Sequence, residues 1–334
     1  MKTSPRSASS PSDAIAVTLD EREARARVEE SIRAVASVLR GSHDAVELAL
    51  AAVLARGHVL LEDVPGVGKT TLARALARVL DCTFARIQFT SDMLPSDVLG
   101  VQVLDPRDGT FVFRPGPIFA QVVLADEINR ASPKTQSAML EAMADAQVTV
   151  DDESRALPAP FVVLATQNPV EHHGAYPLPE SQLDRFMARL SLGYPPPAEE
   201  RALLLAPWTP ERNLQAIVPL LGPREVQAMQ AMVERVQLEE TLADYLMAIV
   251  EATRAHPDIA LGCSPRGSLQ YAAMARAFAF VQGRAFIVPD DIQRLAEPVL
   301  SHRVVLRAGG VGTDVRAAAA ELVAEIVAKT VVPR

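Results

Sequence analysis

Eight residues, Asp63-Val64-Pro65-Gly66-Val67-Gly68-Lys69-Thr70, stand between a short apolar run, His58-Val59-Leu60-Leu61, and a stretch of helical spacing, Thr70 to Leu80. A short apolar run bounded by turn chemistry reads as a buried strand, and the 3.6-residue period beyond the loop reads as a helix. Gly66 and Gly68 let the backbone turn its N–H groups toward one point, and the first turn of the following helix adds partial positive charge there. Lys69 brings a mobile ammonium to the β and γ phosphates of a nucleotide, and Thr70 a hydroxyl able to hold Mg²⁺. Strand, glycine loop and helix in this order are a phosphate-binding loop, or P-loop, with Asp63, Val64, Pro65, Gly66, Val67, Gly68, Lys69, Thr70 and Thr71 as the candidate cradle. One position departs from the strict pattern, which begins with glycine where this chain has Asp63.

The same alternation extends to both sides of the loop. Glu21 to Arg40 carries Val28, Ile32, Val35, Val38 and Leu39 on one helical face, and Asp44 to Arg56 reads as a second helix ended by Gly57. Beyond the loop, Thr83 to Phe89, Gln121 to Ala125 and Phe161 to Thr166 read as strands, and Pro133 to Ala146 as a helix. Strands alternating with helices predict a parallel sheet covered on both faces. Two segments interrupt the pattern. Residues 91–117 contain Asp105-Pro106 and Asp108-Gly109, which predicts a hairpin or partly helical insert; Gln147 to Leu157 resembles a smaller hairpin turning through Asp151-Asp152-Glu153. Past Leu192, Tyr194-Pro195-Pro196-Pro197 is a stiff linker, and the remainder of the chain reads as helices only. The predicted organisation is a disordered Ser- and Pro-rich tail over 1–20, an α/β domain over 21–194 and a small helical domain over 195–334.

Two further strands end in polar residues suited to phosphate chemistry. Val122-Val123-Leu124-Ala125 leads into Asp126, placed to orient Mg²⁺ through its water shell, and Glu127, placed to polarise an attacking water as general base. A solvated acidic turn is the plainer reading of the same pair. Leu164-Ala165-Thr166-Gln167 leads to Asn168, which positions a nucleophilic water or simply serves the turn before Pro169. Strand tips converging on one edge are what an open parallel sheet offers a ligand. Arg185, in Leu183-Asp184-Arg185-Phe186, is either a solvated surface arginine or a functional one. Arg266 opens a helix behind Ser264 and Pro265, a plausible second phosphate contact.

Bulk properties narrow the function classes. A formal charge of −8 and 4% aromatic residues argue against a chain whose main work is gripping nucleic acid. Cys82 and Cys263 have no paired spacing, which leaves neither a disulfide framework nor a zinc module and favours a reducing, cytoplasmic setting. The Ala45 to Leu61 segment is broken by Glu47, Arg56 and His58, so no membrane span is expected. His172-His173 reads as a polar loop rather than a metal site, and Met139, Leu140 and Met143 as core packing. Asn129 and Arg130 either signal between subunits or enter a local salt bridge with Glu141 or Asp145.

Together these residues resemble the AAA+ superfamily. Gly57-His58-Val59-Leu60-Leu61-Glu62, Asp126-Glu127-Ile128-Asn129-Arg130 and Leu178-Pro179-Glu180-Ser181-Gln182-Leu183-Asp184-Arg185-Phe186 look specifically like MoxR-type ATPases. The resemblance places Lys69 and Thr70 on Walker A, Asp126 and Glu127 on Walker B, Asn168 on sensor 1, Arg185 on the arginine finger and Arg266 on sensor 2. It implies Mg²⁺ and ATP as cofactors, a helix-2 insert at 91–117, a pre-sensor-1 hairpin at 147–157 and a C-terminal helical lid. It also implies a homo-oligomeric ring, a hexamer, acting on a protein client, with von Willebrand factor A domain proteins as a partner class. A slowly hydrolysing nucleotide-gated scaffold, a metal-chelatase motor subunit and a nucleic-acid motor are the alternatives at this point.

Overall fold

The structure, a computed structural model, describes residues 19–168, 176–205, 210–307 and 315–333. The expected tail up to residue 18 and the His172-His173 pair lie outside the described residues.

Two helices lead in. The first, α1 (Glu21–Val38), is capped by Asp20, whose carboxylate accepts the Glu23 N–H at 2.7 Å; α2 (His43–Leu54) follows the break at Gly41. Then β1 (Val59–Glu62), the P-loop and α3 (Lys69–Val79) run in succession to β2 (Phe84–Gln88). Between β2 and the next sheet strand the chain makes a short helix, α4 (Pro95–Leu99), and an antiparallel pair, β3 (Gly100–Leu104) with β4 (Phe111–Pro115). After β5 (Val122–Asp126) come a 3₁₀ turn at Ile128–Arg130 and α5 (Pro133–Asp145), started by Ser132 as N-cap and Pro133 at its first position. A second antiparallel pair, β6 (Gln147–Val150) with β7 (Glu153–Ala156), precedes β8 (Val162–Gln167), α6 (Glu180–Leu183) and β9 (Ala188–Leu190).

Five strands form one parallel sheet in the order β2-β5-β8-β1-β9. Alternation of side chains divides their residues between two cores. Val59, Leu61, Val122, Leu124, Val162 and Leu164 join one, with α1, α2 and α3; Leu60, Val123, Ala125, Val163 and Ala165 join the other, with α5. Met139, Leu140 and Met143 are buried in that second core, as helical spacing predicts. Strands covered on both faces are apolar throughout, which is why they read as continuous runs.

From Pro197 the chain is mostly helical: α7 (Pro197–Leu205), α8 (Pro210–Ala216), α9 (Pro223–Val233) and α10 (Glu240–Ala255). Next are β10 (Ile259–Leu261), α11 (Pro265–Val281), α12 (Pro289–Leu300), β11 (Val305–Leu306) and α13 (Val315–Lys329). The antiparallel β10–β11 ribbon adds to the helices that periodicity shows; strands of three and two residues are too short to carry a period. Apolar residues of α9 to α13 continue the core that α1, α2 and one sheet face begin, so the helical part packs on the sheet through the lead-in helices. No helix among the described residues is long and apolar enough to cross a membrane.

Candidate nucleotide site

The C-terminal tips of β1, β8, β5 and β2 lie side by side because the parallel register pairs Glu62 with Gln167, Ala125 with Ala165 and Gln88 with Asp126. At the β1 tip the P-loop turns through Gly66 (φ +88°) and Gly68 (φ +105°), backbone conformations that favour glycine. A Cβ on Gly68 would also come within 2.9 Å of the Leu39 side chain. α3 begins at the next residue, aiming its first N–H groups at the loop. Lys69 Nζ donates to the Asp63 carbonyl at 2.6 Å and the Val64 carbonyl at 3.3 Å, so its ammonium spans the loop. Burial pulls the Lys69 pKa below the ordinary lysine value, and the charges of Asp63, Asp126, Glu127 and Glu62 oppose that shift.

At the neighbouring tip Thr166 Oγ1 donates to Asp126 Oδ1 at 2.6 Å and accepts the Glu127 N–H at 2.9 Å. Glu127 itself sits in the left-handed region (φ 56°, ψ 49°), a conformation that costs a non-glycine residue about 1–3 kcal/mol and recurs at functional sites. Two residues of β2 complete the arrangement. Arg86 reaches Asp126 Oδ2 with Nε at 3.0 Å and Nη2 at 2.5 Å, and Gln88 Nε2 donates to Glu127 Oε2 at 3.0 Å. Arg130 pairs with Glu127 at 3.2 Å, not with Glu141 or Asp145, because the 3₁₀ turn puts it three residues on, over the carboxylate.

These groups surround one cleft of about 380 Å³. Of the residues named from sequence, Pro65, Gly66, Gly68, Lys69, Thr70, Asp126, Glu127 and Asn168 line it. Asp63, Val64, Val67 and Thr71 are not among its described lining; Val67 packs on the core, and the Asp63 carboxylate turns to residues 191–193. Arg86 and Thr166 line the cleft without having been singled out, and Gln88 supports it. Their signal is weak: Arg86 and Gln88 are polar positions alternating with Ala85 and Ile87, and nothing local says that β2 pairs with β5. The donor set fits a magnesium-bound nucleoside phosphate, with a loop of N–H groups and an ammonium for the phosphates, and the oxygens of Thr70 and Asp126 for a hard cation.

Residues 58–188 match the family described as "ATPase family associated with various cellular activities (AAA)", and residues 251–325 match "AAA lid domain". "Chaperone MoxR1" of Mycobacterium tuberculosis is 40% identical over 84% of this chain and 76% of its own length. "Protein MoxR" of Methylorubrum extorquens is 32% identical over 87% of this chain and 90% of its own. The chain belongs to the MoxR-type AAA+ ATPases. An uncharacterised Bacillus subtilis protein, YeaC, is 46% identical to this MoxR-type ATPase over 91% of the chain and 94% of its own length. A crystal structure from Cytophaga hutchinsonii, provisionally assigned as an ATPase, superposes with a TM-score of 0.83 at 33% identity, covering 94% of this chain and 97% of the other.

In this MoxR-type ATPase the two arginines lie away from the cleft. Arg185 is half-buried; its Nη1 donates to the Leu140 carbonyl of α5, and its Nε is buried without a hydrogen-bond partner. Arg266 is exposed at the start of α11 and lines a separate cavity of about 670 Å³ with Glu180, Asp184, Arg254 and Arg303. Lid residues grip the segment that carries Arg185 from both sides. Buried Arg303 donates to Asp184 Oδ1 at 3.2 Å and to the Phe186 carbonyl at 2.5 Å, while Ser264 Oγ donates to Asp184 at 2.9 Å. His302 bonds the same Phe186 carbonyl at 3.0 Å.

Proposed function

We propose that this chain binds Mg-ATP in the cleft, hydrolyses it between subunits of a homo-oligomeric ring, a hexamer, and uses the cycle to remodel, assemble or mature a protein client. The observation that carries the reading is the convergence of Lys69, Thr70, Asp126, Glu127 and Asn168 on one cleft from which Arg185 is absent. A bound Mg-ATP would supply the phosphoryl group transferred to water and a metal charge to neutralise it. Lys69 then exchanges the carbonyls of Asp63 and Val64 for phosphate oxygens. Thr70 and Asp126 would hold the cation, Asn168 would orient the water, and Glu127 would take its proton once Gln88 and Arg130 release the carboxylate. Arg185 would leave the Leu140 carbonyl and serve a neighbour's nucleotide. Arg266, which lines a separate cavity here, would make the second phosphate contact only once the helical part moves or on a neighbouring subunit's nucleotide.

The division into residues 21–194 and 195–334, with the 91–117 insert and 147–157 hairpin facing the pore, belongs to the same reading. The chaperone name carried by the M. tuberculosis relative supports a protein client, and a von Willebrand factor A domain protein is the proposed partner class. The net charge of −8 weighs against nucleic acid as the client. The cytoplasm is the proposed setting.

The test is steady-state ATPase activity against protein concentration, with assembly state followed by size-exclusion chromatography. Turnover should rise cooperatively with concentration, and Glu127→Gln and Arg185→Ala should both abolish it, the latter by about 10³- to 10⁵-fold. A wild type that binds ATP in a ring yet never turns over would replace the motor by a nucleotide-gated scaffold.

A further inference from the structure

Asp63 stands where the strict P-loop has glycine, and its two ends do different things. Its carbonyl oxygen accepts Lys69 Nζ at 2.6 Å. Its carboxylate faces away from the cleft and takes four donors: the Val64 N–H at 2.9 Å, Ser191 Oγ at 2.9 Å, the Leu192 N–H at 2.7 Å and the Gly193 N–H at 2.8 Å. Hydrogen bonds to an ionised acceptor are the strong ones, and three of these fall on the segment that leaves the sheet after β9. Gly193 sits at φ +64° with nothing within 4 Å of where a Cβ would stand, and Tyr194-Pro195-Pro196-Pro197 continues as a stiff run that enters α7 directly. Pro196 packs so closely on the α1–α2 break that a Cβ on Gly41 would lie 2.4 Å from its Cδ.

We infer that Asp63 is a positioning residue that couples the state of the P-loop to the linker and, through it, to the helical domain. The inference rests on the nucleotide-site reading. When Lys69 leaves the Asp63 carbonyl for phosphate oxygens, residue 63 reorients, and its carboxylate carries that change to the Leu192 and Gly193 amides. A glycine at this position would have no carboxylate to hold Ser191 and the Leu192 and Gly193 amides, which gives the departure from the strict pattern a physical purpose.

The experiment compares the full-length wild type, Asp63→Gly and Asp63→Asn, with and without Mg-ADP, by nucleotide-binding titration and backbone hydrogen exchange. In the wild type, exchange across residues 191–200 should change by about threefold or more on adding Mg-ADP. Asp63→Gly, compared at saturating Mg-ADP so that any change in affinity is separated out by the titration, should show fast linker exchange that no longer responds to nucleotide. Asp63→Asn keeps the shape and one acceptor oxygen, so its response should be intermediate; it decides the matter if the glycine variant fails to fold. A linker response equal to that of wild type in the variants overturns the coupling while leaving the nucleotide site intact. Failure of the wild type to bind Mg-ADP at all overturns the site reading and this inference with it.

Discussion

Arg86 Nη2 lies 2.5 Å from Asp126 Oδ2, so the carboxylate that the sequence marks for magnesium is held here by a guanidinium from the neighbouring strand. The contact arises from register, since Gln88 pairs with Asp126 in the β2–β5 ladder and Arg86, two residues back, shares its face. Arg86 also donates to Gln88, which in turn holds Glu127, so the carboxylates of Asp126 and Glu127 are both engaged from β2.

If Asp126 holds Mg²⁺ as proposed, the Arg86 guanidinium on its carboxylate would compete with the metal for the same oxygens. The pair is partly solvated on the Arg86 side, which limits its worth to about 1 kcal/mol, or roughly fivefold in a binding constant. Arg86→Gln should therefore lower the Mg²⁺ concentration that half-saturates Mg-ADP binding by about that factor. Titration of Mg²⁺ into ADP-loaded protein reads it, and an unchanged or raised midpoint would show that Arg86 does not compete.

Arg303 is a buried charge with several partners across the contact between core and lid. It bonds the Asp184 carboxylate and the carbonyls of Phe186, Met187 and Val299, and burial lowers its pKa against the pull of Asp184. Removing one partner of a buried pair leaves the other charge uncompensated, at a cost of about 3–5 kcal/mol. Arg303→Met should show a loss of that size in urea denaturation. Because the same contacts fix the backbone on either side of Arg185, turnover should fall further than the lost folded fraction explains. A loss below about 1 kcal/mol would mark the network as incidental.

Acid should unfold this protein through two buried histidines. His58 Nδ1 accepts the Val163 N–H at 3.0 Å and Nε2 donates to the Met143 carbonyl at 2.9 Å, so the ring is neutral, and a second proton would be driven against an N–H group. Desolvation brings its pKa down to about 4, partly offset by the Met143 bond, and His302 is shifted the same way by burial and by Arg303. A histidine whose folded pKa is depressed contributes stability that is fully present above its unfolded value, near 6.5, and is lost as pH falls toward the folded one. For His58 the contribution is roughly 3 kcal/mol. The melting temperature should be level above pH 7 and fall between pH 6.5 and 5.5, with unfolding taking up nearly two protons from these rings. A melting temperature independent of pH across that interval would refute the assignment.

The sequence by itself determined the parallel sheet and the loop on its edge, because both are written locally. Runs such as Val122-Val123-Leu124-Ala125 are apolar on both faces only when covered on both, and the Gly66-Val67-Gly68-Lys69-Thr70 turn works only between a strand and a helix. It also named Lys69, Thr70, Asp126, Glu127 and Asn168, which the sheet brings to one cleft, since each ends a strand or begins the helix after it. What only the tertiary structure decided is who holds these groups. Arg86 and Gln88 reach the carboxylates through strand order, Thr166 through its register beside Asp126, and Asp63 finds its partners 128 to 130 residues away. Arg303 and Ser264, far along the chain, close on Asp184. Pairing between distant segments leaves no period or spacing in the sequence; it is set when burial of the sheet fixes which strand lies beside which, and the polar groups then take the partners that packing leaves within reach.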